Sequence, residues 1–256
     1  MTDITLYGYA TSPFVRKVGC FLHYKGLPFE FVGVNPINPE AIAFSGGRQV
    51  PVLKIGDEWR RESTELGLWL DELFPEKPLL PSDPAARKVV LRSDQWVSEI
   101  FLPHYFRAAV DAPDDLSHRQ RAWRLAAVVS ADTPLPEEVR NAWPDLLRVA
   151  PFIQEMIKPL DRTEPLAAMQ MRLAAGMLEQ LGEGPFLGGH ATPTLADLSL
   201  FPQLTFGVVA GLEDELSAGR VPAIKDWLSR VAEHLPAQPL LLKDFMVVKS
   251  LKEALA

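Results

Sequence analysis

The chain has 256 residues, 47% hydrophobic and 23% charged, enough apolar material for one large or two small packed domains. Its 33 acidic against 26 basic side chains leave a formal charge of -7, which argues against a general grip on nucleic acid or anionic lipid. A single cysteine, Cys20, excludes an internal disulfide framework and points to a reducing, cytoplasmic setting, and no stretch reads as a membrane span.

Ile4, Leu6, Tyr7 and Tyr9 read as a short strand. From Ser12 to Lys25, Phe14, Val18, Phe21 and Leu22 recur at helical spacing until Gly26 stops the helix. Phe29, Phe31, Val32 and Val34 predict a second strand, ended by Asn35 and Pro36. Val52, Leu53 and Ile55, then Gly56 and Asp57, then Glu58 to Arg60 predict a hairpin. Leu66, Trp69, Leu70 and Leu73 mark one face of a helix from about Glu62 to Phe74. The order strand, helix, strand, loop, hairpin, helix fills residues 1–80.

Pro75, Pro78, Pro81 and Pro84 mark a linker, and residues 84–256 read as wholly helical. Asp83 fits an N-cap before Pro84, opening a helix toward Pro103 or Asp111 that Pro103 is expected to kink or end. Residues 113–164 are broken by prolines and predict only short helices, Trp123 to Val129 and Val139 to Leu147. Pro165 to Leu181 is a clearer helix, and Thr194 with Asp197 forms a capping box read as a folding signal.

The histidines His23, His104, His118, His190 and His234 show no metal-binding spacing, so no metal is expected. The glycine-rich stretches lack phosphate-binding patterns, and no G-x-S-x-G elbow occurs. Three features remain where a strand or loop meets a helix or strand: Ser12 with Pro13, Val50 with Pro51, and Glu62 with Ser63. Each alone reads as a cap or turn, with Pro51 a candidate for a cis bond. A thioredoxin-like arrangement would bring all three to one edge of a sheet.

With these features in place, the chain resembles the cytosolic glutathione transferase family. The resemblance is carried by Leu6-Tyr7-Gly8-Tyr9, Thr11-Ser12-Pro13-Phe14, Arg16-Lys17-Val18, Gln49-Val50-Pro51-Val52-Leu53, Glu62-Ser63-Thr64, Pro185-Phe186-Leu187-Gly188-Gly189 and Pro193-Thr194-Leu195-Ala196-Asp197. Ser12-Pro13-Phe14 is similar to the Cys-Pro-Phe start of the omega branch with serine for cysteine, and to the serine-using theta and zeta types. The resemblance implies an α/β thioredoxin-like N-terminal domain, a mixed sheet with flanking helices, over 1–80, and an all-α C-terminal domain over 84–256. Residues 113–164 then stand out as an insertion that reshapes or covers the site.

Glutathione is the implied co-substrate. Its γ-glutamyl carboxylate suits the Ser63 hydroxyl and the amides opening the helix that Glu62 and Ser63 begin, and its ammonium suits Glu62. The Val50 backbone beside Pro51 would pair with the cysteinyl unit, and Gln49 or Arg48 would meet the glycine carboxylate. Ser12 is the expected catalytic group, donating its hydroxyl to the sulfur, with Tyr7 or Tyr9 as alternative donors. A small hydrophobic electrophile would lie against Trp96, Phe101 and Tyr105, although these rings suit core packing equally well. The resemblance also implies a homodimer using Arg60 and Arg61, without nucleic acid or membrane. A glutathione-dependent isomerase or dehalogenase, or a non-catalytic scaffold working through protein contacts, are the competing readings.

Overall fold

The computed structural model describes residues 3–213 and 221–256. Its first part comprises β1 (Ile4–Gly8), α1 (Pro13–Lys25), β2 (Glu30–Gly33), a 3-10 turn at Glu40–Ser45, β3 (Val52–Ile55), β4 (Glu58–Arg61) and α2 (Ser63–Leu73). The strands lie in the order β2-β1-β3-β4, with β1 parallel to β2 and antiparallel to β3. This mixed sheet with flanking helices is thioredoxin-like. Along β1 burial alternates, Ile4, Leu6 and Gly8 being buried and Thr5 and Tyr7 only partly so, as period-two patterning requires. Gly26 closes α1 in the left-handed conformation at φ 69°, donating its amide to the carbonyls of His23 and Leu22.

Helices follow: α3 (Pro84–Trp96), a π-helical turn at Val97–Phe101, α4 (Leu102–Asp111), α5 (Leu116–Asp132), α6 (Glu137–Val149) and α7 (Pro151–Ile157). Beyond them come α8 (Leu166–Leu181), α9 (Leu195–Val209), α10 (Pro222–Ala232) and α11 (Leu251–Leu255). Pro103 does not end the helix, which stays helical to Asp111. Proline lacks the amide that an α-helix needs, and here it follows a π-helical turn that has already shifted the hydrogen-bond register.

Within 113–164, α5 runs 17 residues rather than the short helix expected. Its buried side chains are His118, Ala122, Ala126, Val128 and Val129, mostly small, so its sequence shows no strong apolar stripe. Pro151 opens α7, and only Pro144 lies inside a helix of this stretch.

The core runs between the two parts along α9, in which every residue except Leu204 is buried and which packs on α1. Buried polar groups join the parts. Asp94 of α3 pairs with Lys17 of α1 at 2.7 Å and accepts from Thr64 of α2 at 2.6 Å and Ser199 of α9 at 2.5 Å. Burial pushes the Lys17 ammonium down and Asp94 opposes that shift. The capping box is present as a folding device: buried Asp197 accepts from Thr194 N, Leu187 N and Trp227 Nε1 at 2.7–2.9 Å.

Candidate functional site

Strand register carries three connections to one end of the sheet. Tyr7 of β1 pairs with Val52 of β3, and Val52 pairs with Arg61 of β4. The residues after β1, before β3 and after β4 therefore emerge together. They are the loop 9–12, Val50 with Pro51, and Glu62 with Ser63.

Ser12 caps α1 with extended backbone and is 5% exposed. Its Oγ accepts from Val15 N at 3.5 Å, a long bond that leaves the hydroxyl proton available to a ligand. A Cβ on Gly8 would stand 2.4 Å from Val15 Cγ2, so only glycine lets α1 settle on the end of β1. The loop is also held from below. Arg16 Nη1 donates to Ala10 O at 3.0 Å, Gln203 Nε2 of α9 donates to Pro13 O at 3.0 Å, and Arg16 Nη2 donates to Gln203 Oε1 at 2.8 Å. These bonds grip the carbonyls on either side of Ser12.

Arg16 is 1% exposed and its guanidinium lies 3.9 Å from the Phe206 ring centre. Burial lowers its pKa to about 10, so it stays cationic at neutral pH. Among the described residues no carboxylate pairs with it. A positive charge one turn into α1 adds to the helix dipole that Ser12 already faces. Cys20, deeper in the same helix, has its thiol pushed up to about 12 by burial and is inert. Burial likewise raises the Tyr9 phenol, weakening it as a hydrogen-bond donor, while the Tyr7 ring packs edge-on to Phe44 at 5.3 Å.

The Val50–Pro51 bond is cis, with Pro51 buried and Val50 partly so, just outside the β3 ladder. Glu62 has φ 67° and ψ 110°, is exposed, and makes no capping hydrogen bond, while Ser63 behind it is buried. Gln49 and Arg48 are exposed, and Arg48 already donates to Ile37 O at 3.1 Å.

Of the aromatics expected over the site, Trp96 packs against α8, where a Cβ on Gly176 would lie 2.9 Å from its ring, and Phe101 is buried. Tyr105 stacks on Phe101 at 6.3 Å, and burial raises its phenol. The row continues through rings that patterning did not single out as a site wall. Phe106 lies 6.1 Å from Tyr105, Phe152 lies 6.0 Å from Phe106, and Phe14 lies 6.3 Å from Phe152. A separate open depression of about 440 Å³ sits at the far end of α1, lined by His23, Leu27 to Phe29, Phe31 and Leu241 to Lys243.

Residues 6–78 match the family described as glutathione S-transferase, N-terminal domain. Over those residues the chain carries the N-terminal domain of that family. Its similarity to prostaglandin E synthase 2 of Mus musculus is 25% identity over 93% of this chain and 71% of that protein. With glutathione S-transferase Z2 of Arabidopsis thaliana identity is 30%, over 52% of this chain and 62% of that one. The chain spans only half the length of other curated transferases that it matches. The beta-etherase LigF of Sphingobium sp. strain SYK-6 superimposes with a TM-score of 0.62 at 22% identity, over 93% of this chain and 97% of that chain. The glutathione S-transferase match contains all three sheet-end connections and stops before α3.

Proposed function

We propose that the chain is a glutathione transferase, with residues 1–80 holding the tripeptide and residues 84–256, including an insertion at 113–164, shaping the electrophile site. The observation that supports this most is the common sheet end of Ser12, Val50 with Pro51, and Glu62 with Ser63. The γ-glutamyl ammonium takes Glu62, and its carboxylate takes Ser63 and the opening amides of α2. The cysteinyl backbone lies along Val50, and the glycine carboxylate meets Gln49, since Arg48 is already engaged.

A free thiol has a pKa of about 8.5 and is mostly protonated at neutral pH. Ser12 donates to the sulfur, and the α1 dipole with Arg16 favours its negative charge. The proton leaves to solvent. The sulfur lone pair forms a bond to the electrophilic carbon as the leaving group departs with its electron pair. No metal or nucleotide takes part.

The test is Ser12→Ala. A hydrogen bond to a charged group contributes about 1.5–3 kcal/mol, so kcat/KM for an aryl halide near pH 7 should fall by about ten- to a hundredfold. The deficit should shrink above pH 9, where solvent alone ionises the thiol. Unchanged turnover at saturating glutathione would remove Ser12 from the mechanism in favour of Tyr7 or Tyr9. No calorimetric heat with glutathione, and no thermal protection at millimolar ligand, would support the scaffold reading instead.

A further inference from the structure

Phe152 is the second residue of α7 and is 50% exposed. The other face of α7 is engaged, Ile153 and Ile157 being buried with Val110 of α4. The Phe152 ring meets two others edge to face, Phe14 at 6.3 Å and Phe106 at 6.0 Å. Phe14 lies in the first turn of α1, two residues after Ser12. A residue from the 113–164 segment thus reaches the end of α1 where the thiol is proposed to sit.

The corner that carries Phe152 is anchored. Arg148 donates Nη1 to Val110 O at 2.5 Å and Nη2 to Ala112 O at 2.8 Å, at the C-terminal end of α4 where helical partners run out. Gln154 Nε2 donates to Arg148 O at 2.5 Å, bracing the turn between α6 and α7. Val149 and Leu146 extend the apolar surface of that corner at 66% and 42% exposure. These bonds tie the corner to the end of α4.

We propose that Phe152 determines specificity: the α6–α7 corner forms an aromatic wall beside the thiol site and selects electrophiles that carry a flat aryl or benzyl group at the reacting carbon. The inference rests on the glutathione reading above. An aryl group lying against the exposed side of Phe152 gains the offset or edge-to-face contact that aromatic pairs prefer, which an alkyl group of similar size cannot exploit.

Calorimetric titration of the wild type, Phe152→Ala and Phe152→Tyr with glutathione, S-methylglutathione and S-benzylglutathione tests it. The wild type and Phe152→Tyr should bind the benzyl compound about three- to tenfold tighter than the methyl one. Phe152→Ala should lose that preference and keep its glutathione affinity within about twofold. A benzyl preference that survives in Phe152→Ala, or is missing from the wild type while glutathione still binds, overturns the role of Phe152 alone. Absence of glutathione binding by the wild type overturns the glutathione reading and the wall's function with it.

Discussion

Glu62 holds its backbone at φ 67° with a side chain that caps nothing, a conformation costing about 1–3 kcal/mol for a residue with a Cβ. Such strain is retained where the side chain has another use, for Glu62 the proposed holding of an ammonium. Glu62→Gly should therefore raise stability by about 1 kcal/mol in urea titration while weakening glutathione binding by tenfold or more. A variant that is less stable and binds normally would remove both arguments. Ser12, Val50, Pro51, Glu62 and Ser63 were all legible in the sequence as residue types at strand and helix junctions. The left-handed backbone of Glu62 was not, because nothing in Arg61-Glu62-Ser63 carries the glycine or asparagine that normally announces it. Gln203 was missed too. It stands in a helix buried on every side and shows its purpose only by gripping Pro13 O and Arg16. Gln203→Leu removes both partners and should cost about 1–3 kcal/mol in stability, with a larger loss in kcat than in glutathione affinity if it positions Ser12.

The helices beyond the linker owe their ends to local chemistry, and ion pairs add to the core packing that places them. Asp111 at the end of α4 accepts from Arg107 at 3.1 Å and from Arg162 in the link to α8. Burial alone would raise the Asp111 carboxyl, but hydrogen bonds and charge from Arg162 and Arg107 outweigh it, and it titrates below its ordinary 3.8. A carboxylate depressed in the folded state contributes stability that is present above the unfolded pKa and lost as pH falls through the folded one. Thermal melting of the wild type should thus decline more steeply below pH 4 than that of Asp111→Asn; parallel profiles would show that the cluster contributes nothing. Pro84 behind Asp83 announced α3 correctly, since a cap and a first-turn proline are signals within three residues. The length of α5 was hidden because small side chains bury it. Of the two ends that the sequence allowed for the helix opened at Pro84, Pro103 or Asp111, the structure takes Asp111, through a π-helical turn that leaves no sequence mark.

The glutathione S-transferase reading carries an expectation about assembly. Exposed Phe44 and Trp59 meet ring to ring at 6.0 Å, and the Arg61 guanidinium lies 5.7 Å from the Trp59 ring, giving an apolar patch with cationic neighbours at the β4 edge of the sheet. Paired across a twofold axis, such a patch would form the centre of an isologous contact. Sedimentation should show a dimer, converted to monomer by Trp59→Glu; a monomeric wild type would refute the arrangement. By itself the sequence determined the order of elements through α2, the stop at Gly26, the caps at Asp83 and Thr194 and the junction residues of the candidate site, because hydrophobic period, turn chemistry and capping act over a few neighbours. Only the tertiary structure decided that three junctions share one end of the sheet, that Arg16 lies buried beneath Ser12, and that Phe152 meets Phe14. Those outcomes depend on strand register and on packing between distant segments, which no local pattern encodes.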